Sequence, residues 1–61
     1  MEKQEELAHV IYDEYCAAVG GKAFNGDTLP TSGEFFTDST KNKQADAWRA
    51  SAAAAIDYLN K

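Results

Sequence analysis

An apolar stripe runs through the C-terminal third of the chain. Ala45, Trp48, Ala52, Ala55 and Leu59 follow one another at steps of three and four, with Ile56 beside them. That spacing predicts an α-helix with one buried side. Trp48 is the single tryptophan and the largest apolar side chain present. The chain has 61 residues, and these must supply the surface that covers the stripe. A chain so short forms one domain, residues 1–61, and buries a smaller share of its surface than larger domains do. Cys16 is the lone cysteine, so no disulfide within the chain assists. A partner chain is then the expected support.

A first helix is expected from about Glu2 to Val19. Glu2, Glu5 and Glu6 complement the positive end of its dipole. Leu7, Ala8, Ile11, Tyr12, Tyr15, Ala18 and Val19 share one face centred near Tyr15, with Glu6, His9, Asp13 and Cys16 opposite. Gly20-Gly21 follows, and glycine accepts the left-handed conformation that closes a helix.

Lys22 to Thr37 reads as the connection. Asn25-Gly26 signals a turn, and Leu29-Pro30 forces an extended step. Thr31-Ser32-Gly33-Glu34 has the spacing of a capping box, and so predicts a short helix carrying Phe35 and Phe36. Phe24, Leu29, Phe35 and Phe36 make this segment too apolar for a solvated linker. It is expected to fold back over the open end of a hairpin.

Asp38 is the expected N-cap of the last helix, with Ser39 and Thr40 as rivals. Lys41 and Lys43 fall in its first turns, where the dipole disfavours them. The predicted fold is all-α: a two-helix antiparallel hairpin with a short third helix in the connecting loop. Its expected core is Leu7, Ile11, Tyr15, Val19, Phe35, Phe36, Trp48, Ile56 and Leu59. A second stripe, Ala47, Ser51, Ala54 and Tyr58 bordered by Ala50, lies roughly opposite Trp48. Small side chains allow close helix approach, so these five residues are a candidate self-association seam. Alanine filling exposed positions as a good helix former is the alternative reading.

The formal charge of −4 argues against binding a phosphate backbone. The acidic flank of Glu2, Glu5, Glu6, Asp13 and Glu14 invites a DNA-mimic reading, which Lys3 and the modest total charge oppose. No basic start precedes an apolar run, so no signal peptide is expected, and no stretch has the length of a membrane span. His9, Asp13 and Cys16 are metal-ligand types on one helix face, but no second Cys or His completes a zinc set, and no metal or other cofactor is expected. His9 and Cys16 stand about 10 Å apart along the axis, too far for a nucleophile and its base. Gly20-Gly21 follows a helix, which is the wrong context for a phosphate loop. Asn25-Gly26-Asp27 lacks the remaining ligands of a calcium loop. No catalytic residues are assigned, and an enzyme is not expected. The candidate ligand site is the loop, with Lys22, Phe24, Asn25, Asp27 and Thr28 approached by Tyr12 and Arg49 across the hairpin mouth.

His9, then Tyr15-Cys16, Ala18 and Gly20, resemble the first helix of short ryanodine-receptor-repeat-like proteins of bacteriophages and prophages. Leu29-Pro30 followed by Ala47-Trp48-Arg49 and Ala52 is similar to small phage proteins with a Trp-Arg helix. The two fragments cover about two thirds of the chain. The chain departs from the repeat in having Asn25-Gly26 and two phenylalanines in place of a tryptophan- and proline-rich central loop. The resemblance implies a phage or prophage accessory protein of a bacterial cytoplasm. On this reading the chain is non-enzymatic and binds a host or phage protein, as an oligomer. The alternative is a binder, or sponge, for a nucleotide-derived signal, with Lys22 and Arg49 as phosphate contacts.

Overall fold

The computed structural model describes residues 2–61. The fold is all-α. Helix α1 spans Lys3–Ala18, α2 spans Ser32–Thr37, a 3-10 turn covers Ser39–Lys41, and α3 spans Asn42–Leu59. Among the described residues the extended structure is limited to an isolated bridge between Lys22 and Thr28. Helix α1 packs chiefly against α3, and α2 touches both.

Local chemistry sets the ends. Helix α1 stops in a Schellman arrangement: the Gly21 N–H donates to the Cys16 carbonyl at 2.8 Å and the Gly20 N–H to that of Ala17 at 3.2 Å. Gly20 has φ +72°, the left-handed conformation this closure requires. Half of the expected capping box forms at α2: Thr31 is the cap, but the Glu34 carboxylate accepts from the Thr31 hydroxyl and not from its backbone N–H. Thr31 Oγ1 accepts from the Glu34 N–H at 3.3 Å, and the two side chains meet at 3.1 Å. Asp38 caps the 3-10 turn and not α3 itself. Its Oδ1 accepts from the Thr40 N–H at 2.9 Å and from the Thr40 hydroxyl at 2.7 Å. These bonds, the side-chain one foremost, hold the Asp38 carboxyl below its usual range. A cap so placed closes a tight turn first, and the α-helical ladder starts after Lys41.

The core is aromatic on one side and alanine on the other. Ala8, Ala45 and Ala52 are wholly buried, and Tyr12, Phe35 and Phe36 nearly so. Alanines at the contact let α1 and α3 approach closely, and the rings then fill the space below α2. Tyr12 is the hub. It stacks on Phe35 and meets Phe36 and Trp48 edge-on, at centroid distances of 4.4, 5.8 and 5.4 Å. Leu7, Ile11 and Trp48 are half-buried against this cluster.

Three expected core residues lie elsewhere. Tyr15, Val19 and Leu59 are exposed. The buried face of α1 is centred on Ala8 and Tyr12, about 40° round from Tyr15 at 100° per residue. Phe35 and Phe36 draw it that way. His9 stacks on Phe36 at 4.3 Å, and Cys16 also packs on the core, so neither belongs to the outer face where the periodicity placed it. Tyr15 keeps a tilted contact with Trp48 at 5.3 Å. Val19 lies past the last helical residue, Ala18. Leu59 is 76% exposed because Gln4 and Glu5, in the first turn of α1, already meet Arg49, and α3 continues well beyond that contact. Ile56 is half-buried.

Candidate functional site

The turn between α1 and α2 is held from within. The Ala23 N–H donates to the Asp27 carbonyl at 2.7 Å, and the Gly26 N–H returns to Ala23 at 2.9 Å. Leu29 N–H to the Gly21 carbonyl, at 2.9 Å, closes the base. Asn25 Oδ1 accepts from the Asp27 N–H at 3.1 Å while its Nδ2 donates to Asp27 Oδ2 at 3.0 Å. This is an Asx turn, the local bond that makes asparagine a turn former. Lys22 Nζ donates to Thr28 Oγ1 at 3.0 Å across the base of the turn.

Phe24 occupies the second position of the turn that Ala23 and Gly26 close. Its relative exposure is 110%, more than in an extended reference peptide. The turn therefore presents one aromatic ring to solvent, with the backbone on both sides fixed. A lone exposed apolar residue is ordinary, but one this exposed on a preorganised turn has the form of a binding anchor.

The seven residues expected to make a ligand site do not converge. Lys22, Asn25, Asp27 and Thr28 bond one another inside the turn. Tyr12 is core: its hydroxyl donates to the Pro30 carbonyl at 2.9 Å, and burial pushes its pKa well above the ordinary phenol value. Arg49 is engaged elsewhere. Its Nε and Nη2 meet the Glu5 carboxylate at 2.7 and 3.0 Å, Nη1 meets Asp46 at 2.9 Å, and Nη2 also reaches the Phe36 carbonyl at 3.3 Å. The Arg49 guanidinium lies over the Phe36 ring, 5.3 Å from its centroid. These bonds hold the Glu5 carboxyl below its usual range and the Arg49 pKa above its own.

A groove does run beside the turn, from Asp27 and Thr28 past Pro30 to Glu34, Asp38 and Lys41. It is open, about 590 Å³, and takes in two of the seven residues. Three carboxylates against one lysine give it acidic walls. Elsewhere, Ala47, Ala50, Ser51, Ala54 and Tyr58 all lie exposed on α3. Ala47 and Ser51 form a hollow of about 160 Å³ with Trp48. Exposed Val10 joins Lys3, Glu6 and Leu7 in a second shallow patch of about 240 Å³. Sequence reasoning passed over Val10; its signal was an apolar residue standing off the helix stripe. Among the described residues no group of three metal-ligating side chains is gathered, and no helix is long and apolar enough to cross a membrane.

Comparison with known protein families, with curated proteins and with solved structures finds no match.

Proposed function

We propose that the chain is a non-enzymatic accessory protein of a phage or prophage. It works as an oligomer in the bacterial cytoplasm and binds a host or phage protein. Its architecture on this reading is a two-helix antiparallel hairpin closed by the short helix α2. The observation that carries the proposal is Phe24, fully exposed on a turn whose other polar groups are spent on holding its shape. An aromatic ring on a backbone already fixed by its own hydrogen bonds leaves only its side-chain rotamers to order on binding, and buried aromatic residues are prominent among interface anchors. The resemblance of His9, Tyr15-Cys16 and Ala47-Trp48-Arg49 to small phage proteins supplies the origin.

The nucleotide reading is the weaker one. Lys22 and Arg49, its phosphate contacts, are bonded to Thr28 and Glu5, and the groove beside the turn has acidic walls. The test is capture from lysate of bacteria with and without phage, comparing the parent with Phe24→Ala. The expected result is a specific partner recovered by the parent and lost with Phe24→Ala, whose melting curve stays that of the parent. Equal capture by both proteins would remove the anchor, and a melting shift with cyclic nucleotides would restore the rival.

A further inference from the structure

We propose that Asn25-Gly26 is a self-modification site: the Asn25 carboxamide loses ammonia to form a cyclic imide, and the hydrolysis products undo the turn that holds Phe24 in place. The chemistry stands on the turn alone. Its consequence for binding rests on the anchor reading above.

The turn brings the reacting atoms together. Asn25 Oδ1 accepts from the Asp27 N–H at 3.1 Å. The ring closed by that bond contains both Asn25 Cγ and the Gly26 nitrogen, so electrophile and nucleophile share one compact loop. The Asp27 N–H lies on the oxygen that gains negative charge when the nitrogen adds to Cγ, and so favours the addition. Gly26 has no side chain to shield its nitrogen, and nothing stands within 4 Å of where a Cβ would be. Asn25, Gly26 and Asp27 are all exposed, so water reaches the site. The other asparagines, Asn42 and Asn60, each precede a lysine, whose side chain crowds the amide that would have to attack.

One bond sets the pace. The Gly26 N–H is committed to the Ala23 carbonyl at 2.9 Å and must leave it before its nitrogen adds. Opening of the turn therefore gates the reaction, which runs more slowly in the folded chain than in an unfolded one.

The step is a hydrolysis in two parts. Gly26 N gives up its proton and bonds to Asn25 Cγ. The bond from Cγ to Nδ2 breaks, and Nδ2 leaves as ammonia, with a proton supplied through solvent. Water then opens the imide at either carbonyl. Opening at Cγ restores the main chain with an aspartyl residue. Opening at the main-chain carbonyl leaves an isoaspartyl link, in which the chain runs through Cβ and Cγ.

Both products disturb the turn. Asn25 Nδ2 donates to Asp27 Oδ2 at 3.0 Å, and an anionic oxygen in its place sets two carboxylates against each other. The isoaspartyl link also adds a methylene to the main chain within the loop that Ala23 and Gly26 close. That bond, and the Ala23 N–H bond to the Asp27 carbonyl, then lose their register. Phe24 lies in the same loop and loses its fixed presentation.

The test is ageing of the purified chain in neutral buffer made with heavy-oxygen water, with and without guanidinium chloride, followed by peptide mapping by mass spectrometry. The expected result is conversion of amide to carboxylate at position 25, with isoaspartate as the major product and a higher rate in denaturant. Asn25→Ser, whose hydroxyl still accepts from the Asp27 N–H, should show none. The isoaspartyl form should keep its helical circular dichroism while the Ala23 and Gly26 amide protons exchange roughly tenfold faster or more. Conversion at position 25 no faster than at Asn42 and Asn60 would overturn the site. Unchanged exchange in the isoaspartyl form would overturn its effect on the turn. If conversion and faster exchange are both seen but Phe24→Ala captures the same partners as the parent, the anchor reading falls and the modification site stands.

Discussion

Tyr12 and Phe35 stack with their ring centroids 4.4 Å apart and their planes 22° from parallel, and this pair joins the first helix to the connection. The Tyr12 hydroxyl donates to Pro30 just ahead of α2, so one side chain fixes both the entry to that helix and its buried face. Tyr12→Ala should cost about 3–5 kcal/mol and unfold most of the population of so small a domain. Tyr12→Phe leaves the Pro30 carbonyl without its donor and should cost about 1 kcal/mol. Trp48→Ala, at a half-buried site, should cost less than Tyr12→Ala, about 2–3 kcal/mol. Urea titration of the three variants checks the order.

Glu5 and Arg49 link the start of α1 to the middle of α3. The Glu5 pKa is held below its ordinary value of 4.5, first by the Arg49 hydrogen bonds. A depressed carboxylate adds stability that is fully present above the unfolded pKa and lost as pH falls through the folded one. The stability curve should therefore bend downward below about pH 4.5. Glu5→Gln should flatten that bend and cost about 1 kcal/mol at neutral pH, discounted for a pair still about 30% exposed to solvent. Thermal melts between pH 3 and pH 7 read both effects.

Two glycines should respond in opposite directions to the same substitution. At Gly20 an added Cβ meets nothing, yet φ is +72°, so Gly20→Ala should destabilise by about 1 kcal/mol through the backbone alone. Gly33 lies in α2 with Thr31 Oγ1 no closer than 4.0 Å to such a Cβ. Gly33→Ala should stabilise by about 0.5–1 kcal/mol. Denaturant midpoints of the two variants should fall on either side of the parent.

Thr31→Ala removes the cap of α2 and should cost about 1 kcal/mol. Because α2 carries Phe35 and Phe36, the loss should also appear in the core. The near-ultraviolet circular dichroism of the aromatic cluster should weaken along with the helical signal.

The helical elements were legible because they depend on local chemistry: the three-four spacing around Trp48, glycines after Val19, and Thr31 with Glu34. The facing was less legible. Periodicity locates an apolar arc but not the partner that covers it, and Phe35 and Phe36, which lie outside both long helices, turned the arc of α1 toward His9 and Cys16. Tyr12 read equally well as pocket lining and as core, because a tyrosine has an apolar body and a polar end; only the Pro30 carbonyl decides between them. Arg49 looked available for a ligand because Glu5 is 44 residues away in sequence, and no local pattern announces such a pair. The exposure of Leu59 depends on where α1 begins relative to α3, a tertiary quantity.

Helix α2 has only six residues, far fewer than an isolated helix needs to hold itself together in water. It exists through the docking of Phe35 and Phe36, and those rings in turn cover the tyrosine that α1 presents. Helix α2 therefore cannot open while the pairing of α1 with α3 stays closed around it. Amide protons of α2 should exchange with solvent at the pace of global unfolding, so that α2 and the facing parts of α1 and α3 behave as one cooperative unit although none of them would persist alone.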